Sequence, residues 1–252
     1  YTIQVKGRAS EIDFSVASVD ESMYTKIKSF GNNTRISKLD ISNTNIDLSE
    51  VSDIPKFEED FDITNLINSS TSEIKGIEYW DLGKTTNLNR LFKNNTVFNQ
   101  EIGGWNTSNV THIGGIFDGA TSFNQYVGQW DTRNVVEMEA AFNGATSFNQ
   151  SLSGWDTSNV CYMTAMFNGA TSFNQDISNW NFSCIEDMSG FMNNSSYNPS
   201  YYDNLLIALD ESGQEDVVLD MTGIYYTTAG SSARASLITK GWTITDGGVT
   251  GI

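Results

Sequence analysis

Residues 148–172 read FNQSLSGWDTSNVCYMTAMFNGATS, and the architecture of the chain follows from this stretch. Nearly the same letters fill residues 98–122 and 123–147, and a looser copy fills residues 173–197. We call residues 98–122 unit A, 123–147 unit B, 148–172 unit C and 173–197 unit D. A unit of this size cannot bury its own apolar face, so neighbouring units must stack on one another.

Two aromatic columns extend the same period beyond the four units. Trp recurs every 25 residues from Trp80 to Trp180, and Phe recurs with the same spacing from Phe98 to Phe173. Stacking therefore predicts continuous columns of tryptophan and phenylalanine inside the molecule.

Each unit contains two apolar patterns. In unit C, Val160 is followed by Met163, Met166 and Phe167, which is the spacing of one face of a short helix, and Gly169 follows as its stop. The pattern Gln-x-aliphatic-x-x-Trp predicts a short strand whose aliphatic residue points inward. The inward residues are then Ile77, Ile102, Val127, Leu152 and Ile177.

The segment Ile36–Ile46 fits the leucine-rich-repeat signature LxxLxLxxNxL, with Thr44 at the Asn position. Residues 74–79 fit the first half of that signature. The units that begin WNTSNV, WDTRNV and WDTSNV resemble the 25-residue repeats of the BspA-like leucine-rich-repeat surface proteins. This resemblance implies a secreted or cell-surface solenoid, often adhesive, of a kind with no established enzymatic activity.

These patterns predict an α/β repeat solenoid, a leucine-rich-repeat-like right-handed coil with short parallel strands, short helices on the opposite side, and capped ends. We expect one continuous domain over residues 1–252. Within it we expect an N-terminal cap over 1–35, irregular leucine-rich-repeat turns over 36–73, the 25-residue repeats over 74–199, and a C-terminal repeat with its cap over 200–252. In the N-terminal cap, alternating apolar residues predict strands over 1–5 and 12–16. In the last range the sequence predicts a helix over 200–209 with Asp203 at the capping-box position, a strand over 217–221, a second helix that ends at Lys240, and a last strand from Trp242.

Composition excludes several functions. The 252 residues carry a formal net charge of −17, which disfavours a nucleic-acid phosphate backbone or an anionic lipid surface. Residues 94–233 contain 15 acidic residues and a single basic one, Arg133. No apolar run is long enough to span a membrane. We expect a monomeric, extracellular or cell-surface module of a larger protein.

The inventory of reactive side chains disfavours an enzyme and a zinc site. His112 is the single histidine and is expected on the polar side of a repeat helix, and the two cysteines lack C-x-x-C spacing. Calcium needs only carboxylates and carbonyls, so it is the one metal that the composition allows. The candidate ligands around the loop after residue 209 are Asp203, Asp210, Glu211, Glu215 and Asp216.

Cys161 and Cys184 lie 23 residues apart and therefore fall on adjacent turns of the predicted coil. A disulfide, two buried free thiols and a reactive thiol all remain open at this point.

A recognition surface is expected where side chains flank the inward aliphatic residues. Glycine and serine there would leave a shallow surface with accessible backbone and hydroxyl groups. One tyrosine would supply an aromatic contact for a ligand, and carboxylates would accept hydrogen bonds from it. The candidates are Glu101, Gly103, Tyr126, Gly128, Ser151, Ser153, Asp176 and Ser178. The predicted partners are proteins, peptides or glycans on the surface of a host or neighbouring cell.

Two alternatives remain for the function. The chain could be a passive spacer within a large surface protein. It could also bind ice through stacked columns of threonine and asparagine. The threonine column is Thr107, Thr132 and Thr157, and the asparagine column is Asn109, Asn134 and Asn159. We expect the asparagine amides to satisfy backbone groups at a tight turn.

Overall fold

The structure is a computed structural model. It describes residues 76–250 continuously, together with Ile63, Thr64 and Ile67 and the backbone of seven short strands before them. Those strands are β1 (Thr2–Ile3), β2 (Ile12–Asp13), β3 (Thr25–Ile27), β4 (Arg35–Ile36), β5 (Leu39–Asp40), β6 (Ile46–Asp47) and β7 (Lys56–Phe57).

All pairings among the seven strands are parallel. β1, β3 and β6 form one sheet in that order, while β2 pairs with β5 and β4 pairs with β7. The expected strands near residues 2 and 12 and in the leucine-rich-repeat signature are present as β1, β2 and β5. Because Ile12 pairs with Leu39, the segments predicted as cap and as irregular turns are joined by backbone pairing.

The short helices predicted in each unit do not form. Between residues 80 and 198, all of which the structure describes, the chain makes successive tight turns and no α-helix. In unit A the amide of Ile116 donates to the carbonyl of Ile113, which closes a turn, whereas the amide of Phe117 donates to Ala141 in unit B. Successive amides therefore alternate: one closes a turn within its unit, and the following one donates to the neighbouring unit.

Backbone dihedral angles explain why this path is not helical. Gly115 and Gly119 have φ of +58° and +72°, and Ala140 and Ala165 repeat the first of these conformations at 53° and 54°. A residue with positive φ reverses the local hand of the chain and cannot continue a right-handed helix. The spacing of Val160, Met163 and Phe167 is compatible with this series of turns as well as with a helix.

The core consists of columns of equivalent residues from successive units. Phe98 and Phe123 stack with ring centroids 5.8 Å apart, and Trp105 and Trp130 stack at 6.1 Å. The five aliphatic residues predicted to point inward are fully buried, as expected: Ile77, Ile102, Val127, Leu152 and Ile177. Burial of apolar side chains across the boundary between units is what holds the stack together.

The tryptophan column also carries a polar contact between units. The indole Nε1 of Trp105 donates to the carbonyl of Ile77 at 3.0 Å, and Trp130 repeats the contact to Ile102 at 3.0 Å. A buried indole N–H needs an acceptor, and here the preceding unit supplies it.

The C-terminal part is a mixed α/β arrangement. A strand β8 (Asp187–Met188) is followed by α1 (Pro199–Glu211), β9 (Val218–Met221), α2 (Ser231–Thr239) and β10 (Thr243–Asp246). The strands form a parallel three-stranded sheet in the order β10-β9-β8. The helices and strands predicted after residue 199 are therefore confirmed. No helix in the described part of the chain is long and apolar enough to cross a bilayer.

Two local predictions were wrong at helix and strand ends. α1 is capped by Asn198, whose side chain accepts the amide of Ser200, rather than by a capping box at Asp203. The segment Ile77–Tyr79, predicted as half of a leucine-rich repeat, forms a single 3-10 turn after Gly76, whose φ is 88°.

A buried ion pair fastens the last strand to both helices. The guanidinium of Arg234 on α2 bonds both carboxylate oxygens of Asp246 on β10, at 2.7 and 3.1 Å. The Tyr202 hydroxyl on α1 donates to the same carboxylate at 2.9 Å. Burial, and then the negative charge of Asp246, raise the pKa of Tyr202, so its hydroxyl remains a donor.

We expect Asp246→Ala to lower the free energy of unfolding by about 3 kcal/mol, because it leaves a guanidinium without its buried partner. Urea denaturation followed by circular dichroism measures this loss. Thr245→Ala, at an exposed position of the same strand, serves as the control and should change stability by less than about 0.5 kcal/mol. Equal effects of the two substitutions would contradict the role assigned to the ion pair.

Two adjacent glycines in unit A test how closely units A and B pack. A Cβ at Gly103 would lie 2.5 Å from the carbonyl oxygen of Tyr126 in unit B, whereas a Cβ at Gly104 would meet nothing within 4 Å. Gly103→Ala should therefore cost about 1–3 kcal/mol by forcing the units apart. Gly104→Ala should leave the unfolding free energy nearly unchanged. Thermal melts of both variants measure the difference, and an unchanged stability of Gly103→Ala would mean that the two units are not in close contact there.

Candidate functional site

A continuous parallel ladder crosses all four units. Isolated β-bridges connect Asn87 to His112, then to Glu137, Tyr162 and Asp187. From Asp187 the ladder continues through β8 into Val218 of β9 and Thr243 of β10. In unit A the strand pairing therefore occurs at His112, whereas the strand was predicted around Ile102, about ten residues earlier. The other units show the same shift.

The ladder presents one row of outward side chains from each unit. The residue after each bridge is buried, as in Ile113, Met138, Met163 and Met188, while its neighbours are exposed or partly exposed except for the buried Gly114. We define the ladder face as Thr111, His112, Gly114, Val136, Glu137, Glu139, Cys161, Tyr162, Thr164, Glu186, Asp187 and Ser189.

Variation among otherwise similar units is concentrated on this face. Units A, B and C all differ from one another at three columns of this face, which begin with Thr111, His112 and Gly114, and at one further surface column, which begins with Glu101. Exposed positions elsewhere, such as Ser122, Ser147 and Ser172, are identical in the three units. The ladder face is thus the surface on which each unit presents different chemistry on a common backbone.

Two exposed apolar anchors lie in the middle of the ladder face. Val136 and Tyr162 each leave 45% of their surface accessible. The Tyr162 hydroxyl donates to a carboxylate oxygen of Glu186 at 2.6 Å. This hydrogen bond, together with the negative charges of Glu186, Asp187 and Glu139, raises the pKa of Tyr162, so the phenol remains a hydrogen-bond donor at neutral pH.

Polar side chains at the other end of the ladder face bond one another. The Nδ2 of Asn89 donates to the Glu137 carboxylate at 3.3 Å, and His112 Nε2 lies 3.9 Å from the same carboxylate. His112 Nδ1 lies 2.7 Å from the Thr111 hydroxyl. His112 thus belongs to a hydrogen-bonded surface row, in place of the polar helix side on which it was expected.

The ladder face is acidic. It contains Glu137, Glu139, Glu186 and Asp187 and no Lys or Arg. The single basic residue of the four units, Arg133, bonds Asp131 instead, at 2.8 Å. The face therefore presents carboxylates, one phenol and one exposed aliphatic side chain within a few units.

The eight residues predicted as a binding face lie in a stack of turns, and the expectation that they belong to a sheet was wrong. The turns follow Gln100, Gln125, Gln150 and Gln175 and contain no strand. The physical reason is the close approach of backbones: Gly103 faces the carbonyl of Tyr126, and Gly128 faces the carbonyl of Ser151. We name this surface the turn stack; it comprises Glu101, Gly103, Tyr126, Gly128, Ser151, Ser153, Asp176 and Ser178.

Several members of the turn stack are engaged within the protein. Gly128 is buried, and a Cβ there would lie 2.7 Å from the Tyr126 ring. Partial burial opposes the charge of Asp176, but hydrogen bonds from Ser178 and Asn204 prevail and lower its pKa. A recognition role for the turn stack stays a prediction, although several of its residues are buried or hydrogen-bonded within the protein and so are less available to a partner.

The threonine and asparagine columns serve the stacking of units. Thr107, Thr132 and Thr157 are buried, and their hydroxyls donate to carbonyls of the next unit, as from Thr107 to Asp131 at 3.1 Å. The Asn109 amide donates to Gly83 at 2.6 Å, and Asn134 and Asn159 repeat the contact. The structure agrees with the structural role expected for the asparagines, and the buried threonines cannot form the exposed array that ice binding requires.

The predicted calcium ligands are dispersed. Asp203 is buried and accepts the amides of Thr227 and Gly230, while Asp210 pairs with Lys240 at 2.7 Å. Among the described residues no group of three or more His, Cys, Asp or Glu could hold a metal ion. The cluster of Asp203, Asp210, Glu211, Glu215 and Asp216 was thus wrong as a common site, because Asp203 and Asp210 each have partners elsewhere.

The two cysteines are joined. Cys161 in unit C and Cys184 in unit D form a disulfide, with their Cα atoms 4.7 Å apart. The sequence leaves open a disulfide, two buried free thiols or a reactive thiol, and the structure contains the disulfide.

Comparison with protein families gives a match over residues 61–138 and again over residues 125–204, more than half of the chain. The matching family is described as Mycoplasma protein of unknown function, DUF285. The chain belongs to the DUF285 family. Two adjacent matches agree with the repeat character of units A to D and with the resemblance to BspA-like repeats at the level of a repeat family.

The DUF285 description assigns no function, so the function of the chain has to be argued from its own surface. No curated protein and no solved structure gives a significant match to the chain.

The contrast between stacking columns and the ladder face can be measured. Thr157→Val removes a buried hydroxyl that donates to the carbonyl of Asn181 and accepts its amide, each at 2.9 Å. We expect a loss of about 1–3 kcal/mol in unfolding free energy because both backbone groups lose their partner.

The matched substitution is Val136→Thr, which places on the ladder face the residue found at position 111. It should change stability by less than about 0.5 kcal/mol in the same urea titration. A larger loss from Val136→Thr than from Thr157→Val would show that the ladder face is required for stacking.

Proposed function

We propose that the chain is an extracellular recognition module, built as a right-handed, leucine-rich-repeat-like solenoid, that binds its partner through the ladder face. Parallel pairing at equivalent positions of successive units supports the solenoid. The columns of stacked Phe and Trp rings support it as well.

The observation that carries the recognition proposal is the location of the differences among the units: three of the four surface columns at which units A, B and C all differ lie on the ladder face, and the fourth begins with Glu101 in the turn stack. Packing explains why the threonine, asparagine and tryptophan columns are uniform, because each of them bonds the neighbouring unit. Packing places no such demand on positions 112, 137 and 162, which nevertheless carry His, Glu and Tyr. Repeat proteins typically bind with such a surface, in which a uniform scaffold presents a varied set of side chains.

The chemistry of the ladder face indicates the partner. Tyr162 supplies a large amphipathic contact area, and Val136 adds an exposed apolar contact. The four carboxylates favour a protein or peptide that presents basic side chains, and they would slow the approach of an acidic partner. A glycan with free hydroxyl groups is also compatible with carboxylate acceptors and a tyrosine ring.

The disulfide supports an extracellular location. Disulfides persist in oxidising compartments and are rare in reducing ones. The strongly negative net charge suits a protein that must remain soluble at a crowded surface.

Two tyrosines with equal exposure provide the test of the proposal. Tyr162 on the ladder face and Tyr126 in the turn stack each leave 45% of their surface accessible. The purified chain is applied to an array of glycans and of acidic, neutral and lysine-rich or arginine-rich peptides. We expect Tyr162→Ser to weaken binding to the probes that are captured by about tenfold or more.

Tyr126→Ser is the matched control and should leave binding within about twofold. Loss of binding with Tyr126→Ser alone would move the site to the turn stack. Absence of binding to every probe would favour the spacer function over recognition.

A further inference from the structure

We infer that the Cys161–Cys184 disulfide is a redox-sensitive latch that holds together the two halves of the ladder face in units C and D. This inference rests on the proposed function for its biological meaning, although its structural part can be tested separately. The latch lies where Tyr162 faces Glu186 and Asp187.

The first argument is that the disulfide replaces a bond found between the earlier units. Asn109, Asn134 and Asn159 each donate a side-chain amide to a carbonyl of the preceding unit, with Asn159 reaching Arg133 at 2.7 Å. Cys184 occupies the next position of this column and cannot make that bond. Within the described residues no side chain donates to the carbonyl of Ser158, which is the equivalent acceptor.

The second argument is the position of the partner cysteine. Cys161 belongs to the ladder-face column of Thr111 and Val136. Its carbonyl accepts the amide of Glu186 at 2.8 Å, and the amide of Asp187 lies 3.4 Å from the same oxygen. The disulfide therefore lies beside the backbone contact that positions the acidic edge of unit D against Tyr162.

Reduction would remove the covalent bond without restoring the missing amide contact. A dithiol reductant donates two electrons, the S–S bond breaks, each cysteine sulfur takes up a proton, and the reductant becomes a disulfide. The boundary between units C and D is then left with its backbone contacts, the Thr157 contact and the exposed or partly exposed hydrogen bonds from Tyr162 to Glu186 and from Thr164 to Asp187. The segment that carries Glu186 and Asp187 should open more often than the equivalent segments of earlier units.

An internal comparison makes the test specific. The amide of Val136 donates to the carbonyl of Thr111 at 2.9 Å, which is the same contact two units earlier, with Asn134 in place of Cys184. Hydrogen exchange read by mass spectrometry can compare the Glu186 and Val136 amides in oxidised and reduced protein. We expect reduction to speed exchange at Glu186 by about tenfold or more and to leave Val136 unchanged.

A double variant supplies the matched control. Cys161→Val with Cys184→Asn installs the residues that stand at the equivalent positions one unit earlier, Val136 and Asn159. Its Glu186 amide should exchange at the same rate with and without the dithiol. Equal exchange at Glu186 in oxidised and reduced wild-type protein would overturn the latch, whether or not the variant folds.

The array of glycans and peptides then separates the latch from the proposed function. If reduction weakens binding in the wild-type chain but not in the double variant, the latch controls the recognition site. If binding is present and unaffected by reduction, control of the site is excluded while recognition stands. If the array is blank but exchange at Glu186 responds, the latch stands as a structural device and the recognition function fails.

Discussion

The register between neighbouring units is the constraint on which the rest of the structure depends. Each unit buries its Phe, Trp and aliphatic residues only against equivalent residues of its neighbours. Threonine hydroxyls, asparagine amides and indole N–H groups also find acceptors in the adjoining unit. A change of register by a single residue would break the apolar columns and leave these buried donors without acceptors, which is costly in a protein interior.

That constraint also explains how the surface is divided. Columns whose side chains bond a neighbouring unit are uniform in units A, B and C, whether the side chain is buried, as at Thr132, or exposed, as at Asn134. In unit D these two positions are taken by Phe182 and Cys184. The side chains of the ladder face mostly bond one another, as in the Tyr162–Glu186 pair between units C and D, although the Thr111 hydroxyl donates to the backbone of Thr86 in the preceding turn. Under the proposed function, recognition uses this less constrained part of each unit. The disulfide replaces an asparagine contact at the boundary between units C and D, where that contact is missing.

The sequence predicts the period, the buried columns and the C-terminal helices and strands, because all of these depend on which residues are apolar and how they are spaced. It does not predict the path of the chain within a unit. Val160, Met163 and Phe167 have helical spacing, and Ala140 and Ala165 are strong helix formers, yet both alanines adopt positive φ. Contacts with the next unit override local preference there, and no single unit reveals them. A comparison of units A, B and C would have found most of the ladder face, since the differences at 111, 112 and 114 are visible in the sequence, but it also returns position 101 in the turn stack.

Identical junctions between units have a consequence for how such a chain changes over generations. The letters Gly-Ala-Thr-Ser-Phe-Asn-Gln join unit A to B, B to C and C to D, and the coding sequence for a repeated motif is a natural place for unequal crossing-over. Gain or loss of one whole unit would bring an equivalent surface against each neighbour, so the stack would close again with its contacts intact. Copy number could then lengthen or shorten the molecule, and the set of side chains that it displays, without the need for a new fold.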